Sequence, residues 1–385
     1  MNSKFSIANK LLREGKFCDA LQVYEQLVKV GTGFRPYLLN YVLTKRMVTR
    51  GLAYSSALPF RDHRTVKHPD SRACEGKSCR KIIVVTPSFN AEKHISQTIE
   101  SIIKQEGDFF IDYVIKDACS GDRTDQIVGG VQKEILEKKV PLLCNGLSLT
   151  WHSAPDKGMY DAVHLGFQER DLISSPEDIL TYLNADDIYE PKAFQIAITI
   201  FSETKAQWIC GQKQTIDEAG EVLHRFHFPL SYAREDIARG WHLSGGNLYF
   251  IQQEGSFWKR GLYDRVGGLN REMKLAGDFD LWLKFANETE LLAVDRPLAS
   301  FRSRPGQLSE SFFRYRDEIE AHGLPMGQSD SKSHTISKDS FMLVEDRGPA
   351  MAKQQSPGPV CFLNDDLSIR EVVYMKRAWV KGENV

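Results

Sequence analysis

Two adjacent carboxylates, Asp186 and Asp187, follow a short apolar run in the segment TYLNADDIYEP, residues 181–191. Like charges side by side repel each other, and burying either one is costly unless a positive group lies beside it. The pair is therefore either a solvated turn or a binding site for a cation. Hard divalent cations prefer oxygen ligands such as carboxylates, so this segment is a candidate metal site.

Three further apolar runs lead into polar residues. The run KIIVVTPSF contains Thr86, DYVIKDACSGD contains Asp117, and LSLTWHSAPDKG leads to Asp156 and Lys157. Runs rich in β-branched residues are typical of buried parallel strands. Ligands bind beyond the carboxyl ends of such strands. We therefore expect these three strand ends and the one before the acidic pair to meet at one rim of a sheet.

The segments between these runs predict helices. Ile95, Ile99, Ile102 and Ile103, for example, recur at helical spacing. Strands that alternate with helices indicate an α/β domain in which the sheet is mostly parallel and helices flank it. We place this domain at residues 76–325.

The two ends of the chain differ from this central domain. Residues 1–75 are predicted to form an N-terminal helical segment and a linker, because residues 60–80 are rich in charges and turn formers. The stretch EGKFCDALQVYEQLV resembles part of a tetratricopeptide repeat. A lone repeat cannot bury its own face, so it is either a hairpin packed on the main domain or a surface for a protein partner. Residues 326–385 are predicted to be a flexible connection and a C-terminal extension with one strand and one helix.

Composition narrows the classes of function. The 385 residues carry a net charge of -1, with 42% hydrophobic and 26% charged residues, as in ordinary globular proteins. The near-neutral balance gives no electrostatic case for a nucleic-acid partner. No apolar run reaches the roughly 18 residues of a membrane span, and the charged N-terminus is unlike a secretory signal. We expect a cytoplasmic protein, with the inner face of the membrane left open as its location.

The cysteines favour a reducing compartment, because their number, 7, is odd and they are scattered. His63, His68, Cys74 and Cys79 lie close together in the sequence and are residue types that bind zinc. Their spacing is not that of a usual zinc finger. A polar linker is the favoured interpretation, with a metal site as the alternative.

Six blocks, taken in order, resemble glycosyltransferase family 2. They are TPSFNAEKHISQTIESI, KDACSGDRTDQI, APDKGMYDAVHLGF, YLNADDIY, QQEGSFWKRGLYDRVGGLNREMKLAGDFDLWLKFA and FRSRPGQLS. The resemblance extends from Lys81 to about Glu310. It implies a GT-A fold, a nucleotide-sugar donor with UDP as the expected nucleotide, a divalent metal (Mn²⁺ or Mg²⁺) and inversion at the anomeric carbon.

Sugar transfer requires that the departing diphosphate be neutralised, which a carboxylate-bound divalent ion does. The resemblance implies Asp186 as the main metal ligand, with Asp187 as a second ligand or as a support for the loop. The family often has an aspartate where this chain has Asn184. Because a neutral amide is a weaker ligand, Asn184 is expected to act through water or on the donor ribose, with Ala185 beside it.

The resemblance also implies the donor site. Asp117 is expected to accept hydrogen bonds from the nucleobase or ribose. Arg304 stands where many relatives carry a histidine, and its guanidinium fork matches phosphate geometry, so Arg304 or Arg302 is expected to hold the leaving group. The other expected donor contacts are Thr86, Pro87, Phe89, Asp156 and Lys157.

Asp278, in LAGDFDLWLKF, matches the family position of the general base that deprotonates the acceptor hydroxyl. The structural alternative is a helix cap. Glu254, Phe257 and Trp258 are expected to contact the acceptor or the sugar, since sugars stack on aromatic rings. A core role for the aromatic pair is equally open.

Two other functions compete with glycosyl transfer. A nucleotidyltransferase usually needs a glycine-rich triphosphate loop after the first strand, and TPSFNAEKH contains no glycine. A non-catalytic interaction protein with a degenerate domain is the other alternative. The expected acceptor is a glycan or a lipid-linked hydroxyl, which leaves open a peripheral membrane contact. The identity of the sugar does not follow from the sequence.

Overall fold

A computed structural model describes residues 23, 63–72, 80–171, 174–226, 231–240, 242, 250–307, 312–327 and 358–375. All of these except Val23 belong to one of two compact units, Asp62–Val385. The predicted N-terminal helices, Cys74 and Cys79 lie outside the described residues.

The described strands number fourteen along the chain. They are β1 (His63–Lys67), β2 (Lys81–Ser88), β3 (Gly107–Asp117), β4 (Cys144–Ser153), β5 (Ile179–Tyr182), β6 (Ile188–Tyr189), β7 (Trp208–Cys210), β8 (Gln214–Ile216), β9 (Val222–Arg225), β10 (Ser256–Lys259), β11 (Leu292–Val294), β12 (Ala299–Arg302), β13 (Gly358–Leu363) and β14 (Ile369–Met375).

The helices of the described part are α1 (Ile95–Ile103), α2 (Thr124–Leu136), α3 (Met159–Gln168), α4 (Ala193–Glu203), α5 (Arg234–Ala238), α6 (Arg260–Arg265), α7 (Gly277–Glu288) and α8 (Phe312–Ala321).

Ten strands form the main sheet, in the order β1-β4-β3-β2-β5-β10-β7-β11-β13-β14. Strands β2, β3, β4 and β5 are parallel neighbours. Strand β10 runs antiparallel between β5 and β7. The carboxyl ends of β2 to β5 therefore lie at one edge of the sheet, together with the start of β10. This mostly parallel α/β arrangement confirms the predicted fold class.

Both faces of the sheet are covered, which explains the unbroken apolar run of β2. Ile82 and Val84 pack into one core beneath α1 and α4. Ile83 and Val85 point to the other side and pack with residues of α3 and α7. Burying an aliphatic side chain of this size stabilises the fold by about 1.5–3 kcal/mol. The strand ends are thus held rigidly, as a site built on them requires.

A second, four-stranded sheet has the order β6-β12-β8-β9. Strand β12 pairs antiparallel with β6 and parallel with β8. Strand β6 follows the acidic pair directly, so this sheet fixes the far side of the loop that carries Asp186.

Two sequence predictions were wrong outside the central domain. Part of the predicted linker, His63–Lys67, is strand β1 and pairs antiparallel with β4. The predicted C-terminal helix is strand β14, since Ile369–Met375 forms a hairpin with β13, and β13 extends the main sheet beside β11. In both places the edge of the sheet provides hydrogen-bond partners that override a local preference. Among the described residues, no helix is both long and apolar enough to cross a membrane.

Candidate active site

A cleft of about 1230 Å³ opens at the carboxyl edge of the parallel strands. The loops after β2, β4 and β5 line it, as do Ala118 after β3 and Gln253 and Glu254 before β10. The structure thus brings the four predicted strand ends to one rim. Of the predicted site residues, those lining the cleft are Pro87, Phe89, Asp156, Lys157, Asn184, Ala185, Asp186, Glu254, Asp278 and Arg304.

Asp278 lies in the first turn of α7 and faces this cleft although it is only 5% exposed. The helix is capped at Ala276 without a side-chain hydrogen bond, so Asp278 is not the cap. Its Oδ1 accepts hydrogen bonds from the hydroxyls of Tyr160 at 3.0 Å and Tyr315 at 2.9 Å. Burial raises the pKa of Asp278 to about 6, against the lowering effect of these bonds. A carboxyl group tuned toward neutrality is suited to proton transfer.

Gly277 permits this arrangement. A Cβ at this position would lie 2.6 Å from ring atoms of Tyr160, a distance that side chains do not tolerate. The missing side chain lets the Tyr160 ring lie against the start of α7. Its hydroxyl then reaches both the Leu275 carbonyl oxygen, at 2.8 Å, and Asp278.

The two adjacent aspartates point in different directions. Asp186 lines the cleft, and its Oδ2 accepts a hydrogen bond from Nε of Arg304 at 2.7 Å. Asp187 is fully buried, and its Oδ1 accepts the backbone N–H of Arg302 at 2.8 Å, while Oδ2 accepts from Asn184 Nδ2 at 3.2 Å. Burial raises its pKa well above the usual range. The oxygens of Asp187 hold the loop together, which favours its predicted role as a support over that of a second metal ligand.

Of the two arginines predicted to hold the leaving group, Arg302 does not line the cleft. Its side chain is fully buried and donates to the backbone carbonyls of Asp186, Asp217 and Glu218. It joins the acidic loop to the turn between β8 and β9. The neighbouring arginine, Arg304, is the one that lines the cleft.

Two side chains of the loop after β5 present oxygen ligands to a divalent ion. Asp186 contributes a carboxylate, and Asn184 Oδ1 is buried without a hydrogen-bond partner. A single carboxylate together with phosphate oxygens and water is a common environment for Mg²⁺. No group of three or more His, Cys, Asp or Glu side chains suited to a metal occurs among the described residues. The residues present fit an ion that takes most of its ligands from the substrate and from water.

On the donor side, the exposed ring of Phe89 and the side chains of Asp156 and Lys157 line the cleft. Lys157 forms an ion pair with Glu272 at 2.7 Å. Burial raises the pKa of Asp156. These residues surround the part of the cleft nearest to β2 and β4.

Thr86 and Asp117 do not line the cleft, contrary to prediction. Thr86 is buried and its hydroxyl accepts a hydrogen bond from Tyr113 at 3.0 Å. The carboxylate of Asp117 is buried and accepts bonds from Ser120 and Ser153. Both residues shape the ends of their strands, and Ala118 takes the place at the surface of the cleft.

On the opposite side, Glu254 is 6% exposed and lines the cleft. Burial raises its pKa to about 7, and the negative charges of Asp278 and Asp186 add to this. Lys213 also lines the cleft, beside the rings of Phe226 and Phe250, and burial lowers its pKa to about 7.

Phe257 and Trp258 are core residues, which favours the core role that the sequence left open over a contact with a sugar. Both lie on β10, inside the main sheet, and both are fully buried. Successive residues of a strand face opposite sides. Phe257 therefore packs with Tyr189 and Phe194 on one side, and Trp258 packs with Trp282 on the other.

Trp258→Ala is expected to lower the free energy of unfolding by about 3–5 kcal/mol, because it leaves a large cavity among aromatic rings. Chemical denaturation followed by circular dichroism measures this change. Phe89→Ala is the matched control, since Phe89 is 64% exposed and its removal should change stability by about 0.5 kcal/mol or less. If the Trp258→Ala protein has native stability and weakened acceptor binding, the predicted contact of Trp258 with a sugar is supported instead.

Tyr160, Tyr315 and Lys213 were not among the residues that the sequence predicts for the site. Tyr160 lies within the block APDKGMYDAV, and its position near a strand end was an available signal. No sequence signal marks Tyr315 or Lys213, because their roles depend on residues far away in the chain.

Part of the chain is similar in sequence to known glycosyltransferases. Residues 83–267 match the family profile described as Glycosyl transferase family 2. An uncharacterised glycosyltransferase of Mycobacterium tuberculosis is 22% identical over 228 residues, which is 58% of this chain and 76% of the relative. Another, from Nostoc sp., is 20% identical over 186 residues, 48% of this chain and 53% of the relative.

Two solved structures are similar at low sequence identity. Staphylococcus aureus TarS 1-349 in complex with UDP-GlcNAc has a TM-score of 0.46 at 17% identity, covering 65% of this chain and 68% of that chain. The mannosyltransferase PcManGT from Pyrobaculum calidifontis, in complex with GDP-Man and Mn²⁺, has a TM-score of 0.42 at 16% identity, covering 75% and 72%. By its family match over residues 83–267 and its ordered motifs, the chain is similar to glycosyltransferase family 2 and is a glycosyltransferase.

Proposed function

We propose that this protein is a metal-dependent, inverting glycosyltransferase that moves a sugar from a nucleotide-diphosphate sugar, with UDP as the nucleotide, to a hydroxyl of a glycan or lipid-linked acceptor. One observation carries the proposal. The cleft at the strand ends contains a buried carboxylate held by two tyrosine hydroxyls, Asp278, and a separate carboxylate paired with an arginine, Asp186.

Asp278 is the general base of the proposed reaction. Its carboxylate takes the proton of the acceptor hydroxyl as the acceptor oxygen bonds to the anomeric carbon. The bond from that carbon to the diphosphate breaks at the same time, and the nucleoside diphosphate leaves. Attack opposite to the leaving group inverts the anomeric configuration. Burial and a pKa of about 6 support this role, because the group is largely ionised at neutral pH and still accepts a proton readily.

Arg304 and the acidic loop stabilise the leaving group. Arg304 Nε lies 2.7 Å from Asp186, and its guanidinium has further donors that can bind phosphate oxygens. Asp186 and the amide oxygen of Asn184 are the residues that would hold a divalent ion. Such an ion neutralises charge on the departing diphosphate. Phe89, Asp156 and Lys157 are proposed to hold the nucleotide.

The remaining predictions about partners follow from the proposed acceptor. A lipid-linked acceptor would bring the protein to the inner face of the membrane as a peripheral contact. A protein partner at the N-terminal helices stays a prediction. The match to the family profile argues against a nucleotidyltransferase, and the presence of both Asp186 and Asp278 in the cleft argues against a degenerate interaction protein.

A donor panel tests the proposal. Purified protein is incubated with UDP-, GDP- and dTDP-sugars, and release of the nucleoside diphosphate is measured with Mn²⁺, with Mg²⁺ and with EDTA. We expect one UDP-sugar to be turned over at a rate well above the others, with the activity lost in EDTA and restored by added metal. Full activity in EDTA would refute metal dependence, and preference for a GDP-sugar would refute the assignment of the nucleotide.

A further inference from the structure

Helix α8, like Asp278 and helix α7, lies on the chain after the residues that match the family profile, which end at 267. Three residues of α8 lie in the cleft beside Asp278 or contact the segment before α7: Phe312, Tyr315 and Glu318. They are spaced three residues apart and so share one side of the helix. Phe312 and Tyr315 line the cleft. Glu318, one turn further, contacts the segment that leads into α7.

The carboxylate of Glu318 holds this segment by its backbone. Oε1 accepts the N–H of Lys274 at 2.7 Å, and Oε2 accepts the N–H groups of Leu275 and Ala276 at 2.7 and 2.8 Å. Ala276 is the residue that caps α7, two positions before Asp278. Hydrogen bonds to a charged acceptor are stronger than neutral ones. One side chain of α8 therefore fixes the backbone from which the proposed base extends.

Tyr315 holds the base itself. Its hydroxyl donates to Asp278 Oδ1 at 2.9 Å. The hydroxyl of Tyr160 lies near two acceptors, Asp278 Oδ1 and the Leu275 carbonyl oxygen, and a hydroxyl has one proton to donate. Unlike the hydrogen bond from Tyr160, the hydrogen bond from Tyr315 to Asp278 does not compete with the Leu275 carbonyl oxygen for its proton. Both hydroxyls meet Oδ1, so neither occupies Oδ2.

We propose that Tyr315 and Glu318 are positioning residues of the transfer reaction: together they hold the Asp278 carboxylate with Oδ2 directed at the acceptor hydroxyl. The inference rests on the proposed function, in which Asp278 is the base. It assigns to a helix beyond the matched region the task of completing the catalytic geometry.

The two residues differ in what they do to the ionisation of Asp278. The titratable groups that face Asp278 are Tyr160 from α3, Tyr182 from β5, Tyr315 from α8 and Glu254 before β10. A hydrogen bond from Tyr315 stabilises the charged carboxylate and lowers its pKa. Its loss therefore raises the pKa of Asp278, and the deprotonated base becomes scarcer at neutral pH.

Tyr315→Phe is the first test. Loss of a hydrogen bond to a charged carboxylate changes the ionisation constant of that carboxylate by a factor of roughly ten or more, which shifts its pKa by about one unit. We expect the acid limb of the kcat profile to move up by about that unit, so that kcat falls nearly tenfold near pH 5, about twofold near pH 7, and hardly at all above pH 8. The KM for the donor should stay unchanged. Tyr160→Phe should produce a smaller shift in the same direction.

Glu318→Gln is the second test. An amide has a single acceptor oxygen, so some of the three backbone N–H groups lose their partner. We expect kcat to fall at every pH without a shift of the acid limb, because the carboxylate of Asp278 is displaced and its hydrogen bonds to the tyrosines are retained. Thermal denaturation of each variant verifies that the protein is folded.

Tyr374→Phe is the matched control. This exposed tyrosine on β14 donates to Glu290 at 3.2 Å, so the change removes the same kind of bond far from the cleft and should leave the profile unaltered. A folded Tyr315→Phe protein with the wild-type acid limb and kcat would overturn the role of Tyr315, and a folded Glu318→Gln protein with wild-type kcat would overturn that of Glu318. If Asp278→Asn itself retains full activity, the proposed function fails, and not the positioning alone.

Discussion

Asp278→Asn is expected to lower kcat about 10²–10⁴-fold, the range that a general base contributes. Asparagine keeps the shape of the side chain and its contact with Tyr160 and Tyr315, but it cannot take a proton from the acceptor. Binding of UDP, measured by calorimetry, should stay within about twofold of the wild type, since the donor is expected to contact other loops. The two measurements together separate loss of chemistry from loss of binding.

Asp280→Asn is the control for this change. Asp280 lies in the same helical turn and forms an ion pair with Lys284, but it does not line the cleft. We expect activity close to that of the wild type. If Asp278→Asn is as active as Asp280→Asn, the proton is taken by another group. Glu254, whose pKa lies at about 7 in the same cleft, would then be the next candidate.

The base also predicts how activity depends on pH. In the proposed reaction the ionised form of Asp278 is the active one, and its pKa of about 6 lies above the usual value. Activity should therefore be low below pH 6 and rise through it. In Asp278→Asn the residual activity should lose this rise.

Asp186→Ala is expected to remove nearly all transfer, by about 10³-fold, because stabilisation of charge by a metal is worth several kcal/mol. The change removes the carboxylate that lines the cleft and leaves Arg304 without its partner at 2.7 Å. The effect of Mn²⁺ on UDP affinity should disappear. Calorimetric titrations of UDP, with and without Mn²⁺, measure this directly and do not require an acceptor.

Asp187→Asn distinguishes the two neighbouring carboxylates. Because Asp187 is buried and accepts the backbone N–H of Arg302, an amide oxygen can take over that bond. We expect the variant to retain the enhancement of UDP binding by Mn²⁺, while its melting temperature changes. Should Asp187→Asn lose the Mn²⁺ effect and Asp186→Ala keep it, the assignment of the ligand would have to be reversed.

The sequence by itself determined the kind of fold and the location of the site. Runs such as that of β2 are apolar at every position because helices cover both faces of the sheet, and this pattern is visible without a structure. Polar residues at the ends of such strands must meet at one edge. The ordered motifs then led to Asp186 and Asp278, and the structure places both in one cleft.

The tertiary structure decided which of several neighbouring residues faces that cleft. Asp186 faces it while Asp187 is buried, and Arg304 faces it while Arg302 is buried. The sequence cannot distinguish such neighbours, because which of them faces the cleft depends on the turn after β5 and on the register of β12 against β6 and β8. In the same way, successive residues of β10 face opposite sides of the buried sheet. Phe257 and Trp258, which had been expected to contact a sugar, are therefore core residues.

The sequence did not predict which distant parts of the chain contact each other at the site. Tyr160 on α3, Asp278 on α7 and Tyr315 on α8 meet at one carboxylate oxygen. The motifs predicted Asp278 but neither of its tyrosine partners, and no local spacing marks Tyr315. Their meeting depends on how three helices pack against one sheet. Residue types and their order thus predicted which carboxylates belong to the candidate site, whereas only the packing of the helices decided how the Asp278 carboxylate is oriented.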